Sequence, residues 1–210
     1  TDEIDEISIL FWVRTTRMPF LLERKMVLRI GDPTLYLSEK VTNEGTSELD
    51  FMWGHHPACG PVFLDDSCEI LIDEGAISNV TFDWKGRRVA ETEHSWPNLK
   101  MGNGDDLDIS KVMEPDAGLI MTLGISNFKK ARYEIKNNRK HISFGMQWEK
   151  EVFPHIWMWG VYGGGKEYPW FGRAYTRALE PWSSIPGDLN IAIENGETIN
   201  IGAGQTISTE

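Results

Sequence analysis

The stretch LDFMWGHHP, residues 49–57, alternates large apolar residues with small or polar ones. Successive residues of a β-strand point to opposite faces of the sheet. The alternation therefore predicts a strand that turns Trp53 and His55 toward the core and His56 toward the opposite face. We expect Gly54 to leave open space beside His56 on that face. Because Pro57 disfavours the helical region for the residue before it, His56 is held extended. These features suit a residue that contacts a ligand, and they equally suit an ordinary strand end.

The same period of two recurs along the chain and predicts an all-β protein. We expect a hairpin that turns at residues 136–139, and no window combines helical periodicity with caps at both ends. The result is one antiparallel β-sandwich domain over residues 1–210, with two large sheets packed face to face. The strands are expected at residues 26–30, 34–45, 49–56, 67–73, 118–126 and 195–208.

Composition restricts the partners. The net charge of −11 argues against nucleic acid and against an anionic membrane surface. No apolar run is long enough to span a bilayer, and the N-terminal residues lack a signal pattern. Cys59 and Cys68 are interpreted as free thiols of a reducing compartment, which implies the cytoplasm, although a short local disulfide is an alternative. The nine tryptophans are typical of sugar-binding proteins, since indole faces stack on pyranose rings, and equally of a β-sandwich core.

A second strand end repeats the design of the first. In YTRALEPWSSIPG, residues 175–187, Glu180 alternates with Arg177 and precedes Pro181, which holds it extended. An ion pair with Arg177 or Arg173 is the simplest explanation of this carboxylate, but a regular strand turns Arg177 to the opposite face. One histidine and one carboxylate, each fixed at a strand end, form a candidate acid–base pair.

Three motifs together resemble the aldose 1-epimerase (galactose mutarotase-like) family: WGHHPACGPVFL, IWMWGVYGGG and LEPWSSIPG. The first is similar to the branch of that family with the motif W-G-H-H-P-A-F-G. The resemblance covers the chain from about Arg17 to Ser208 and implies a galactose mutarotase-like supersandwich. It also implies an enzyme that interconverts sugar anomers without metal or cofactor.

The resemblance assigns a role to each motif. His56 takes the place of the family's general acid and Glu180 that of its general base. His55 falls where classical members have Asn, so it contributes at most a hydrogen bond near the sugar. On the strand PHIWMWGVY, Trp159 is preferred to Trp157 as a sugar-site residue, with core packing as the alternative for both. The family's sugar-binding aspartate is best matched by Asp106, with Asp105 as the second choice.

Part of the family pattern is not found in this sequence. The Arg and second His that the family carries in its first third are not found, so the chain resembles a member without its N-terminal strands, a fragment of a member, or a divergent branch. Exposed sheet edges would then need cover, for which a homo-oligomer is one candidate. A sugar phosphate as substrate would require a basic cluster, for which Arg132, Arg173 and Arg177 are candidates.

Two other functions compete with the enzyme. The first is a carbohydrate-binding or regulatory protein on the same fold that has lost turnover. The second is a metal site built from His55, His56 and His155, which is disfavoured because neighbouring histidines on a strand face opposite ways. The run of three glycines at residues 163–165 is interpreted as a flexible turn, since it lacks the strand–helix context of a phosphate-binding loop.

Overall fold

A computed structural model describes residues 5–210, and antiparallel strands make up about half of this part. The all-β class predicted from the sequence is confirmed. One short helix, α1 (Leu189–Asn195), is present, and no helix in the described part is long and apolar enough to cross a bilayer. The strands are β1 (Glu6–Arg14), β2 (Phe20–Arg29), β3 (Leu35–Asn43), β4 (Leu49–Phe51), β5 (Ala58–Cys59), β6 (Cys68–Leu71), β7 (Ala76–Trp84), β8 (His94–Ser95), β9 (Asn98–Lys100), β10 (Asp106–Asp108), β11 (Leu119–Ser126), β12 (Arg132–Asn137), β13 (Ile142–Gln147), β14 (His155–Tyr162), β15 (Tyr175–Trp182), β16 (Ile199–Ile201) and β17 (Thr206–Thr209).

The chain forms two compact units. The first contains the described residues up to Phe51 together with Thr198–Glu210, and the second is Met52–Glu197. The single domain expected over residues 1–210 stays a prediction. In the first unit, a four-stranded sheet has the order β1-β2-β3-β17, and β4 pairs with β16. The buried Asn43 amide donates to the carbonyls of Ser47 and Ile201 and so ties the two strand groups of this unit together.

The second unit contains an eight-stranded sheet of order β10-β9-β8-β7-β11-β14-β15-β5. Successive side chains of its central strands point to two different faces, with one register irregularity between β7 and β11 at Thr122–Gly124. The core face buries aliphatic residues that lie side by side in register, such as Leu123, Met158 and Leu179. The opposite face, called the site face below, carries the residues between them.

A three-stranded sheet of order β13-β12-β6 completes the strands of the second unit and buries Ile70, Tyr133 and Ile135. The predicted hairpin is present as β12 and β13, which pair from Arg132↔Gln147 to Asn137↔Ile142. The turn lies at residues 138–141, slightly later than expected.

Two expectations about the elements were wrong. The strand expected over residues 49–56 ends at Phe51, because the backbone stops pairing with β16 there and Gly54 makes an isolated bridge to Trp182 instead. The absence of a doubly capped helix is also contradicted. Asp188 accepts hydrogen bonds from the backbone N–H groups of Asn190 and Ile191, and Gly196 ends α1 in the left-handed conformation.

Candidate active site

Glu180 lies on the site face near the end of β15. Its neighbours in register are Trp157 on β14 and, by continuation of the β5 pairing, His56 on the other side. The alternation predicted from the sequence holds, because Arg177 belongs to the core face. Arg177 is fully buried and donates to the carbonyl of Ile109, so it does not neutralise Glu180.

His56 is placed by backbone pairing on either side of it. Gly54 bridges to Trp182, and Ala58 pairs with Ala178, so His56 lies directly opposite Glu180. Residues opposite each other on antiparallel strands share a face. The imidazole Nδ1 is 2.7 Å from Glu180 Oε1. Sequence reasoning selected these two residues separately, and the structure brings them into direct contact.

The two side chains of the pair differ in their exposure to solvent. The Glu180 side chain is 8% exposed, whereas that of His56 is 60% exposed. A buried carboxylate requires donors, and the second one comes from Trp182, whose Nε1 donates to Glu180 Oε2 at 3.1 Å. Each oxygen of Glu180 therefore has one partner, and Oε1 is the oxygen that faces the exposed imidazole.

The space beside His56 is not open, contrary to our expectation for Gly54. The indole of Trp182 fills it: a Cβ at residue 54 would come within 2.3 Å of Trp182 Cδ2. Gly54 is required because the ring of its partner in register folds over it. Trp182 was not recognised from the sequence as a site residue, although its spacing of two from Glu180 puts both on one face.

The two predicted tryptophans of β14 have different neighbours. The ring of Trp159 is 5.9 Å from that of His56 and 5.2 Å from that of Trp170. Trp157 packs against Trp182 and donates from Nε1 to the carbonyl of Ser184 at 2.9 Å. Trp159 is thus the one that contacts the imidazole, and Trp157 holds the chain after β15. Trp170 comes from the loop after the glycine run and gave no signal of its own in the sequence.

The other two predicted residues, His55 and Asp106, have different surroundings. The His55 ring lies 5.1 Å from that of Phe153, half-buried at the edge of the core. Asp106 is on β10 at one edge of the large sheet, with β9, β8, β7, β11 and β14 between it and β15. Its carboxylate accepts from Lys100 Nζ at 3.0 Å. The alternative Asp105 bonds Asn103 in the same edge loop.

The basic residues proposed for a phosphate site do not form a cluster. Arg177 is buried on the core face, Arg132 begins β12 in the three-stranded sheet, and Arg173 is exposed in the loop before β15. Among residues 5–210, no three His, Cys, Asp or Glu side chains are grouped in a way that could hold a metal ion. What the site offers is an imidazole, a carboxylate and aromatic rings.

The glycine run at residues 163–165 is better explained by close packing than by flexibility. A Cβ on Gly163 would come within 2.4 Å of the Pro115 carbonyl, and one on Gly164 would come within 2.5 Å of Leu119. The run therefore lies against a neighbouring backbone segment, and it fixes the start of the loop that carries Trp170.

The fold and this face together define a protein with the galactose mutarotase-like β-sandwich fold. The chain superposes on a candidate aldose 1-epimerase from Klebsiella pneumoniae with a TM-score of 0.63 and 12% identity, covering 100% of this chain and 50% of that one. The superposition on a candidate aldose 1-epimerase from Escherichia coli has a TM-score of 0.63 and 16% identity, and it covers 100% of this chain and 64% of that one. The superposition on a TPR-domain containing protein from Parabacteroides distasonis has a TM-score of 0.63 and 11% identity, and it covers 99% of this chain and 32% of that one.

Residues 13–210 match the family described as Domain of unknown function (DUF4432), and the chain belongs to that family. No curated protein sequence matches it. The chain spans between half and two-thirds of the length of the two epimerase candidates. At identities this low, the structural similarity establishes the fold alone. That fold is the one expected from the aldose 1-epimerase resemblance. The narrower W-G-H-H-P-A-F-G branch and the missing N-terminal strands stay predictions.

Proposed function

We propose that the chain carries the acid–base site of an aldose 1-epimerase-like enzyme, with Glu180 as general base and His56 as general acid. The observation that supports this most directly is the 2.7 Å contact between Nδ1 and Oε1 on the site face, beside Trp159. Residues 124 positions apart in the chain meet there, in a fold shared with two aldose 1-epimerase candidates. Fold alone does not decide function, so the site carries the argument.

The chemistry requires only these two groups. Glu180 Oε1 takes the proton of the anomeric hydroxyl while His56 gives a proton to the ring oxygen. The bond between C1 and the ring oxygen breaks, and C1 becomes the carbonyl carbon of the open aldehyde. Rotation about C1–C2 presents the other face of the carbonyl. As the ring closes, His56 takes back the proton from the hydroxyl that becomes the ring oxygen, and Glu180 gives its proton to the carbonyl oxygen.

A sugar must separate the pair before it can react, because 2.7 Å leaves no room between the two groups. Glu180 is buried and held by Trp182, so His56 is the residue that moves. The anomeric hydroxyl and the ring oxygen then replace the hydrogen bond that the pair makes in the empty site. Trp159 offers an aromatic face beside them for the C–H face of the pyranose.

Anomer exchange measured by one-dimensional NMR with the full chain tests this proposal. We expect exchange of glucose or galactose anomers to fall by about 10²–10⁴-fold in Glu180→Gln and in His56→Ala. Glu69→Gln is a matched control, because Glu69 pairs with Lys111 on the three-stranded sheet. Full exchange in both site variants would disprove the assignment, and an unfolded Glu180→Gln protein would show that Glu180 is structural.

A carbohydrate-binding protein without turnover is the second candidate. It is favoured by the direct contact between His56 and Glu180, because a purely structural hydrogen bond between the two side chains would have the same geometry. The same samples separate the two. Thermal stabilisation by a sugar without any acceleration of exchange would support the binding protein.

A further inference from the structure

We infer that the loop of residues 165–172 forms a second saccharide subsite next to Trp159, so that the substrate is a reducing di- or oligosaccharide. This inference rests on the proposed function, since the sugar that reacts is taken to lie between His56 and Glu180. It adds a place for a sugar unit attached to the reacting one through a hydroxyl other than the anomeric hydroxyl.

The loop is closed and rigidly built. Gly172 donates its backbone N–H to Gly165 at 2.8 Å, and outside this closure Gly163 donates to Ala174 at 3.0 Å. Inside it, the N–H groups of Trp170 and Phe171 both donate to the carbonyl of Glu167. A loop with this many internal hydrogen bonds presents its side chains in one arrangement, which lowers the entropy lost on binding.

Two aromatic side chains of this loop, Tyr168 and Phe171, are exposed rather than packed in the core. Tyr168 is 83% exposed and Phe171 is 60% exposed, and their rings are 6.0 Å apart in an edge-to-face arrangement. Phe171 also adopts a φ of 49°, in the left-handed region that bulky residues rarely enter. An exposed aromatic pair on a strained backbone is unfavourable for folding alone, and such features concentrate at binding sites.

The loop that carries the exposed pair reaches the candidate active site through Trp170. Trp170 lies between Tyr168 and Phe171 in sequence, and its ring is 5.2 Å from that of Trp159, which in turn is 5.9 Å from that of His56. A continuous run of rings thus leads from the acid–base pair to the loop. Because consecutive Cα atoms are about 3.8 Å apart, the Cα atoms of Tyr168 and Phe171 lie within about 8 Å of that of Trp170.

The chemistry of the surface favours a saccharide as its occupant. The faces of Trp, Tyr and Phe carry negative electrostatic potential, and the C–H groups on one side of a pyranose present positive potential to them. A row of aromatic rings that begins at a sugar site can therefore bind successive sugar units. A protein partner or a second copy of this chain would not require continuity with His56.

Calorimetric titration of the full chain with maltose, cellobiose and lactose, compared with glucose and galactose, tests the inference. We expect at least one disaccharide to bind about tenfold more tightly than its component monosaccharides, the range for one added aromatic contact. Tyr168→Ala and Phe171→Ala should each remove most of that advantage and leave monosaccharide binding unchanged. Phe144→Ala, at an exposed aromatic on β13, is the control.

The outcomes distinguish this inference from the proposed function. Anomer exchange of monosaccharides without any preference for a disaccharide would overturn the subsite alone. Equal weakening of mono- and disaccharides by Tyr168→Ala and Phe171→Ala would also overturn it, because the loop would then act through the whole fold. A dimer in solution that dissociates in Phe171→Ala would assign the aromatic pair to a second copy of the chain. A protein that binds no sugar at all would contradict both proposals.

Discussion

The indole of Trp182 lies directly on Gly54. Trp182 and Gly54 face each other across an isolated antiparallel bridge, and a Cβ at residue 54 would come within 2.3–2.8 Å of three atoms of the indole. The same indole donates its N–H to Glu180. A glycine thus determines where the second hydrogen-bond donor of the candidate base is placed.

Replacing this glycine by alanine should damage the site. In Gly54→Ala the indole must shift, which we expect to lower the free energy of unfolding by about 1–3 kcal/mol and to slow anomer exchange. Urea denaturation and NMR exchange measure the two effects. Gly60→Ala is the matched control, since nothing lies within 4 Å of a Cβ at that position. Equal behaviour of the two variants would show that the indole does not need Gly54.

Trp182→Phe tests the indole N–H separately from the ring. Phenylalanine keeps an aromatic ring over Gly54 but donates no hydrogen bond to Glu180 Oε2. Because the buried carboxylate then loses one of its two donors, anomer exchange should fall about tenfold. NMR measures the exchange rate, and urea denaturation shows whether the variant keeps its stability. An unchanged rate in a folded Trp182→Phe protein would show that Glu180 does not need this donor.

The free energy of unfolding should depend on pH through His155, the first residue of β14, which lies close to Glu197 just after α1. Burial lowers the pKa of His155 and outweighs the opposing effect of Glu197, 3.7 Å from its Nε2. The unfolded chain binds a proton as the pH falls through about 6.5, whereas the folded chain does so only at lower pH. The free energy of unfolding should therefore decrease between pH 7.5 and pH 5.5.

Urea denaturation of His155→Gln at the two pH values measures this contribution. The variant should show a smaller decrease than the unaltered chain, because the residue that binds the proton is gone. His141→Asn is the control, since His141 is exposed in a left-handed turn position that Asn tolerates. The explanation fails if the pH dependence is the same in His155→Gln and in the unaltered chain.

Cys59 should react slowly with alkylating reagents. Burial, with a smaller effect of Cys68, raises the pKa of the Cys59 thiol to about 11. Since the thiolate is the reactive form, iodoacetamide should modify Cys59 at pH 8 about a hundredfold more slowly than an ordinary thiol. Mass spectrometry should show the rate rising about tenfold per pH unit up to pH 10. The urea-unfolded chain is the control, and a folded-state rate that levels off near pH 9 would contradict the burial effect.

Trp53 should be a structural residue despite its position beside the site. It is buried, its ring lies 5.3 Å from that of Phe153, and its backbone exchanges hydrogen bonds with Ser183. Trp53→Ala should lower the free energy of unfolding by about 3–5 kcal/mol. Trp12→Ala, at a tryptophan exposed on β1, should change it by less than about 0.5 kcal/mol. Denaturation curves for the two variants make the comparison.

Local sequence predicted several of the strands and which of their residues share a face, whereas β1 and β7 to β10 were not among the strands expected. The alternation in β15 correctly separated Glu180 from Arg177, because successive side chains of a strand must point opposite ways whatever the strand pairs with. Adjacent histidines were separated by the same rule. The capped helix at residues 189–195 was missed, although Asp188 and Gly196 are visible in the sequence, because a helix this short has almost no periodicity to detect.

Which residues meet was decided by the tertiary structure. Nothing local specifies that Gly54 bridges to Trp182, and that one pairing places His56 opposite Glu180, fills the space over Gly54 and supplies the carboxylate with its second donor. Trp170 contacts Trp159 from a loop whose glycine run packs against the backbone of residues 115–119. Strand pairing joins residues far apart in the chain, so the period of two determines the face of each side chain but not its neighbour.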